Sequence, residues 1–178
     1  MRKRLGVMCS GNGTNFENIV RSCNEHEVVL MVYNNKGCGA SRRALKFGIP
    51  NVYFPSTEEI KIINEFHWAR VDYIILAGWM RILSQNFVSQ FPNRIINVHP
   101  SLLPKYKGLH AVEQAMESGD KETGCTVHYV NDELDGGEII KQAKVPIFET
   151  DTVQELTKRI QREEYRILPE VINKLPLN

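Results

Sequence analysis

The chain has 178 residues, 42% hydrophobic and 24% charged, with 22 Lys and Arg against 21 Asp and Glu for a formal charge of +1. That length suits a single domain over residues 1–178, able to bury roughly 70% of its unfolded surface, and the balanced charge excludes the broad basic field with which nucleic-acid binders collect phosphates. No apolar run approaches a membrane span, and the basic start is followed by a short strand-like run rather than a signal-peptide core, so a cytoplasmic protein without membrane or nucleic-acid partners is expected.

In chain order, residues 5–9 read as a strand, 15–23 as a helix, 27–33 as a second strand and 40–47 as a second helix closed by Gly48. Residues 51–54 form a short strand, 58–69 a helix, and 72–77 (D-Y-I-I-L-A) a continuous apolar run of the kind buried on both faces. Residues 95–98 are a further β-branched strand. This cadence predicts an α/β protein with a Rossmann-like, doubly wound, mostly parallel sheet. A helix over 111–118 follows Gly108. Two extended segments, 124–130 and 138–148, are separated by only seven residues, too short for a helical crossover, so the C-terminal pair is predicted antiparallel. Residues 152–175 read as the last helix, capped by Asp151 or Thr152 with Glu155 behind it, and Pro169 is expected to kink or end it. The four cysteines, Cys9, Cys23, Cys38 and Cys125, have no metal-like spacing and read as reduced thiols, and no metal site is expected.

Three stretches carry candidate chemistry. Asn97 and His99 are two residues apart at a strand end, so strand period two points both to one face where open α/β sheets place ligands. Ser10-Gly11-Asn12-Gly13-Thr14-Asn15 lacks the third glycine of a dinucleotide fingerprint and the Lys of a Walker A loop. What remains is a glycine turn at a helix N-terminus, either an ordinary capped turn or a seat for an anion such as a phosphate monoester. Asp132-Glu133-Leu134-Asp135-Gly136-Gly137 has the composition of a plain turn, and gains a role only if Asp135 lies beside His99, where a carboxylate favours the imidazolium and orients the ring.

These strings, with Ala77-Gly78-Trp79-Met80-Arg81-Ile82-Leu83-Ser84 and Asn97-Val98-His99-Pro100-Ser101-Leu102-Leu103-Pro104, resemble the glycinamide ribonucleotide formyltransferases of the formyltransferase family, in that family's order and over nearly the whole chain. The resemblance implies formyl transfer from 10-formyltetrahydrofolate, as co-substrate, to the amine of glycinamide ribonucleotide in purine biosynthesis. It implies Asn97, His99 and Asp135 as the catalytic trio, and Gly13, Thr14 and Asn15 on the acceptor's phosphate. Met80, Arg81, Ile82 and Leu83, with Asn97, are implied on the folate, and Gln161 and Glu164 against the acceptor. The partners are then small molecules, for a monomer or homodimer. An arginine that the resemblance implies before the third helix has no match in Pro55-Ser56-Thr57-Glu58-Glu59. Trp79 and Lys107 also depart from the family pattern, where a smaller aromatic and a proline are usual.

The chemistry fits that transfer. Attack of an amine on a formyl carbon develops an oxyanion that needs N–H donors, which Asn97 and His99 supply, while a protonated His99 can serve the departing nitrogen as general acid. Among the other histidines, His128 is read as a hydrogen-bonded core residue, with a place bordering the site as the alternative, His110 as a cap or pocket-wall residue, and His26 and His67 as surface positions. Lys105 and Lys107 flank Tyr106 as solvating groups or as an attraction for an anionic tail. Methionyl-tRNA formyltransferase, which adds a tRNA-binding domain, and formyltetrahydrofolate deformylase, which adds an N-terminal regulatory domain, are the weaker alternatives, with a catalytically silent folate- or phosphate-binding module as a third.

Overall fold

The computed structural model describes residues 1–176; the last two residues of the expected 1–178 unit lie outside the described residues. The chain runs β1 (Arg4–Cys9), α1 (Thr14–Ser22), β2 (Glu27–Tyr33), α2 (Gly39–Lys46), β3 (Asn51–Tyr53), α3 (Glu59–Trp68), β4 (Tyr73–Leu76), α4 (Gln85–Gln90), β5 (Ile95–His99), α5 (Ala111–Glu117), β6 (Glu122–Tyr129), β7 (Ile139–Pro146) and α6 (Val153–Asn173). The strands form one seven-stranded sheet in the order β3-β2-β1-β4-β5-β6-β7. Pairing is parallel from β3 to β5 and antiparallel for β5–β6 and β6–β7. The strand order reverses between β1 and β4, which opens a crevice at their carboxyl ends.

Alternation along each strand feeds two cores. Leu5, Val7, Cys9, Ile75, Ile96, Cys125 and Val127 pack under α1, α2, α5 and α6. Met8, Ile74, Leu76 and Ile95 pack with Phe66 of α3 and Phe87 of α4 on the opposite side. By that parity Asn97 and His99 continue the face begun by Ile95.

Three sequence expectations are corrected. Pro169 neither ends nor interrupts α6, which continues to Asn173. Proline removes the N–H that Tyr165's carbonyl would accept, and Asn18 Nδ2 of α1 donates to that carbonyl instead, at 2.8 Å. His26 is buried rather than exposed, its Nδ1 accepting from the Lys3 backbone N–H at 3.1 Å. A six-residue helix, α4, interposes between β4 and β5, with Ser84 as its cap accepting from Phe87 N–H. At α6 the cap is Thr152, in a reciprocal capping box with Glu155, while Asp151 takes both terminal nitrogens of Arg159, which with the Phe148 N–H hold its carboxyl down at about 2. The outer strand β7 turns Gln142 and Lys144 outward and ends on Pro146, with Lys141 paired to Glu170 and Lys144 to Glu122.

Candidate active site

β5 ends in the crevice, and its antiparallel pairing with β6 sets Asn97 opposite His128 and His99 opposite Thr126. Asp135 arrives from the loop after β6, held at φ +49°, and Gly137 lets that loop pass the Tyr129 carbonyl, which a Cβ would meet at 1.7 Å. The three expected catalytic side chains therefore converge. Asp135 Oδ2 lies 3.5 Å from His99 Nδ1, with both side chains more than 90% buried, and the same oxygen accepts the Gly108 N–H at 2.7 Å.

The other nitrogen of His99, Nε2, is 2.8 Å from the Tyr106 carbonyl. A carbonyl only accepts, so Nε2 carries a hydrogen and the proton that comes and goes belongs to Nδ1, toward Asp135. His128 has the opposite arrangement. Its Nδ1 lies 2.9 Å from the Tyr129 carbonyl and so carries the hydrogen, leaving Nε2 to accept from Asn97 Nδ2 at 3.5 Å. Burial lowers the pKa of His128, against the smaller opposing influence of the Tyr129 carbonyl and Asp135, so the neutral ring is favoured. His128 Nε2 is 3.8 Å from Asp135 Oδ1. In the neutral ring that contact is lone pair to lone pair, and His128 orients Asn97 without competing for the carboxylate.

At the other end of the crevice, Gly13 begins α1 at φ +76° with no side-chain cap. A Cβ on Gly13 would stand 2.6 Å from Ala40 Cα, so the turn requires glycine. The turn is braced by Arg43, whose Nε donates to the Asn12 carbonyl at 2.8 Å and whose guanidinium pairs with Glu17. With no side chain capping them, the first-turn N–H groups and the helix dipole face the crevice as an anion seat. Tyr165 donates to Thr14 Oγ1 at 2.9 Å. Glu164 is buried beside Asn15, which donates to it, and burial without a cation pushes its carboxyl up to about 7.

Between these ends lies a cavity of about 520 Å³. Gly13, Thr14, Asn15, Gln161 and Glu164 line one part of it, and Asn97, His99, His128 and Asp135 the middle. Met80, Arg81, Ile82 and Leu83 line the remainder with Leu109 and Leu134, so every expected site residue borders one space. Met80, Ile82 and Leu109 are 67%, 76% and 70% exposed, an apolar rim suited to an aromatic ligand. The segment lacking the implied arginine braces this rim, since Glu59 accepts the Ser84 N–H at 3.0 Å. Sequence reading missed the Tyr106 carbonyl and took His128 as a hydrogen-bonded core histidine or, alternatively, a neighbour of the site. Each depends on a non-local arrangement, a left-handed loop residue in one case and a cross-strand register in the other. Among the described residues no three His, Cys, Asp or Glu side chains are grouped to hold a metal ion, and no helix is long and apolar enough to cross a membrane.

Comparison with known proteins agrees with this architecture. The formyl transferase family model matches residues 3–172. Phosphoribosylglycinamide formyltransferase of Escherichia coli K12 is 44% identical over 94% of this chain and 84% of its own length. The trifunctional purine biosynthetic protein adenosine-3 of Drosophila pseudoobscura pseudoobscura is 42% identical over 96% of this chain, which spans only 14% of that larger protein. The crystal structure of glycinamide ribonucleotide transformylase 1 from Symbiobacterium toebii superposes with a TM-score of 0.93 at 38% identity, covering 97% of this chain and 86% of that one.

Proposed function

The chain belongs to the formyl transferase family, and from that premise we propose that it moves a formyl group from 10-formyltetrahydrofolate to the primary amine of glycinamide ribonucleotide, a step of purine biosynthesis in the cytoplasm. The observation that carries the reading is one cavity joining an anion seat to an apolar rim, with Asn97, His99 and Asp135 between them. The acceptor phosphate docks on the Gly13, Thr14 and Asn15 turn, with Gln161 and Glu164 beside its sugar and amine. The folate ring system enters along Met80, Arg81, Ile82 and Leu83. Both partners are small molecules, and the enzyme acts as a monomer or homodimer.

The acceptor nitrogen attacks the formyl carbon to give a tetrahedral centre, and the carbon–nitrogen bond to the folate then breaks. Overall the amine loses one proton and the folate nitrogen gains one. The Asn97 amide and the Nδ1–H of His99 stabilise the developing oxyanion. Asp135 Oδ2, 3.5 Å from Nδ1, orients the ring, and Nδ1 is the nitrogen through which a proton passes to the leaving group. Anchoring the phosphate away from the reacting amine lets remote binding energy fix the attack geometry.

The test is formyl transfer to glycinamide ribonucleotide measured beside formate release with no acceptor. Transfer should dominate. Formate release at the same rate with and without acceptor, or no turnover of the donor at all, would overturn the assignment.

A further inference from the structure

Tyr106 lies in the loop between β5 and α5 at φ +57°, a left-handed conformation that a bulky residue rarely adopts. Its surroundings hold it there. The Tyr106 hydroxyl donates to Asp120 Oδ2 at 2.7 Å, and Lys105 Nζ reaches the same oxygen at 2.8 Å. Asp120 is held in turn by its backbone N–H on Ser118 Oγ at 3.1 Å, while Ser101 Oγ donates to the Lys105 carbonyl at 2.6 Å. This network fixes the Tyr106 carbonyl 2.8 Å from His99 Nε2. Neither Asp120 nor Tyr106 borders the cavity.

We infer that Asp120 is a positioning residue for His99: by clamping the Tyr106 hydroxyl it holds the backbone carbonyl that selects the Nε2–H tautomer and leaves Nδ1 free to exchange the working proton. The inference rests on the reading of His99 as the acid–base group. A neutral imidazole has one N–H, and two acceptors flank this ring. At 3.5 Å the Asp135 carboxylate is beyond a good hydrogen bond with Nδ1, whereas at 2.8 Å the Tyr106 carbonyl is well placed for Nε2. Release of the Tyr106 loop tips that competition. The charged acceptor then draws the single hydrogen to Nδ1, and the ring's lone pair turns to the side away from the substrates.

Tyr106→Phe and Asp120→Ala each remove the same hydrogen bond, so either variant serves if the other fails to fold. Thermal unfolding establishes which are intact. The tautomer of ¹⁵N-labelled His99 is read by NMR with the ring deprotonated, alongside steady-state kinetics with both substrates. Wild type should hold the Nε2–H form. Each variant should gain Nδ1–H form and lose roughly 3- to 10-fold in kcat, the scale of one hydrogen bond, with both KM values little changed. The double variant should be no worse than the poorer single one. A folded variant with the wild-type tautomer and kcat, losses that multiply in the double variant, or a rise in folate KM alone would overturn the inference. His99→Asn in the same assay separates the premise from the inference: near-normal kcat there removes the acid–base reading itself, whereas a large loss leaves the clamp to be judged on its own variants.

Discussion

Glu164 is only 7% exposed in the cavity wall, with an amide from Asn15 and no cation against it, and burial sets its carboxyl near 7 instead of the ordinary 4.5. The folded state therefore keeps its proton over a range where the unfolded chain has lost it, and stability falls as pH rises from about 4.5 through 7. The cost once both states are ionised is about 3 kcal/mol, since each tenfold difference in proton affinity between the two states is worth about 1.4 kcal/mol. Glu164→Gln should consequently be the more stable protein above pH 7 and flatten the decline between pH 5 and 8, as followed by urea midpoints at several pH values. A variant that melts earlier than wild type at pH 8 would show the carboxylate to be stabilised by something the geometry omits. At this scale the sequence was informative wherever a residue's placement follows from its neighbours in the chain. Strand period predicts that Asn97 and His99 share one face, and the Gly13 stretch reads as a glycine turn at a helix start; their roles in a site came only with the resemblance. His26 was misplaced, because nothing local distinguishes a histidine that accepts from the Lys3 backbone from one in solvent. Asp135 became legible through resemblance, its own stretch being fully explained as a turn.

The elements α1 and α6 build the Gly13 end of the crevice jointly, joined by Asn18 on the Tyr165 carbonyl, Tyr165 on Thr14 and Asn173 on the Ser22 carbonyl. The seat itself depends on a backbone path that admits no Cβ at Gly13. Gly13→Val should raise the acceptor KM at least tenfold while leaving the folate KM near wild type, because it displaces the first-turn N–H groups and touches nothing at the rim. Equal changes in both KM values in initial-rate measurements would remove the turn from the acceptor site. Helices with a clear apolar period and a cap were legible in advance; α4 was not, its six residues offering less than two turns of pattern. Pro169 misled for a definite reason. The proline rule concerns the lost intrahelical bond, and here a side chain from another helix replaces that bond.

Across the whole molecule, the strand–helix cadence foretold the parallel half of the sheet, and the short loop before β7 foretold the antiparallel pair at its edge. The β5–β6 pairing was beyond such reasoning, since a helix lies between those strands in sequence and only their register brings His128 to Asn97. All four thiols lie inside this fold, and burial raises Cys23 and Cys125 to about 12. Ellman's reagent at pH 8 should therefore find almost no thiol in the native protein and four in denaturant, and rapid native labelling would mean that a core element opens far below the global unfolding free energy. At the margins of the sheet, β3 offers three residues, and β7 presents lysines and closes on a residue with no N–H to give. Neither margin can readily template an eighth strand from another chain, so a concentrated solution of this protein is guarded against the edge-to-edge growth that turns open sheets into fibrils.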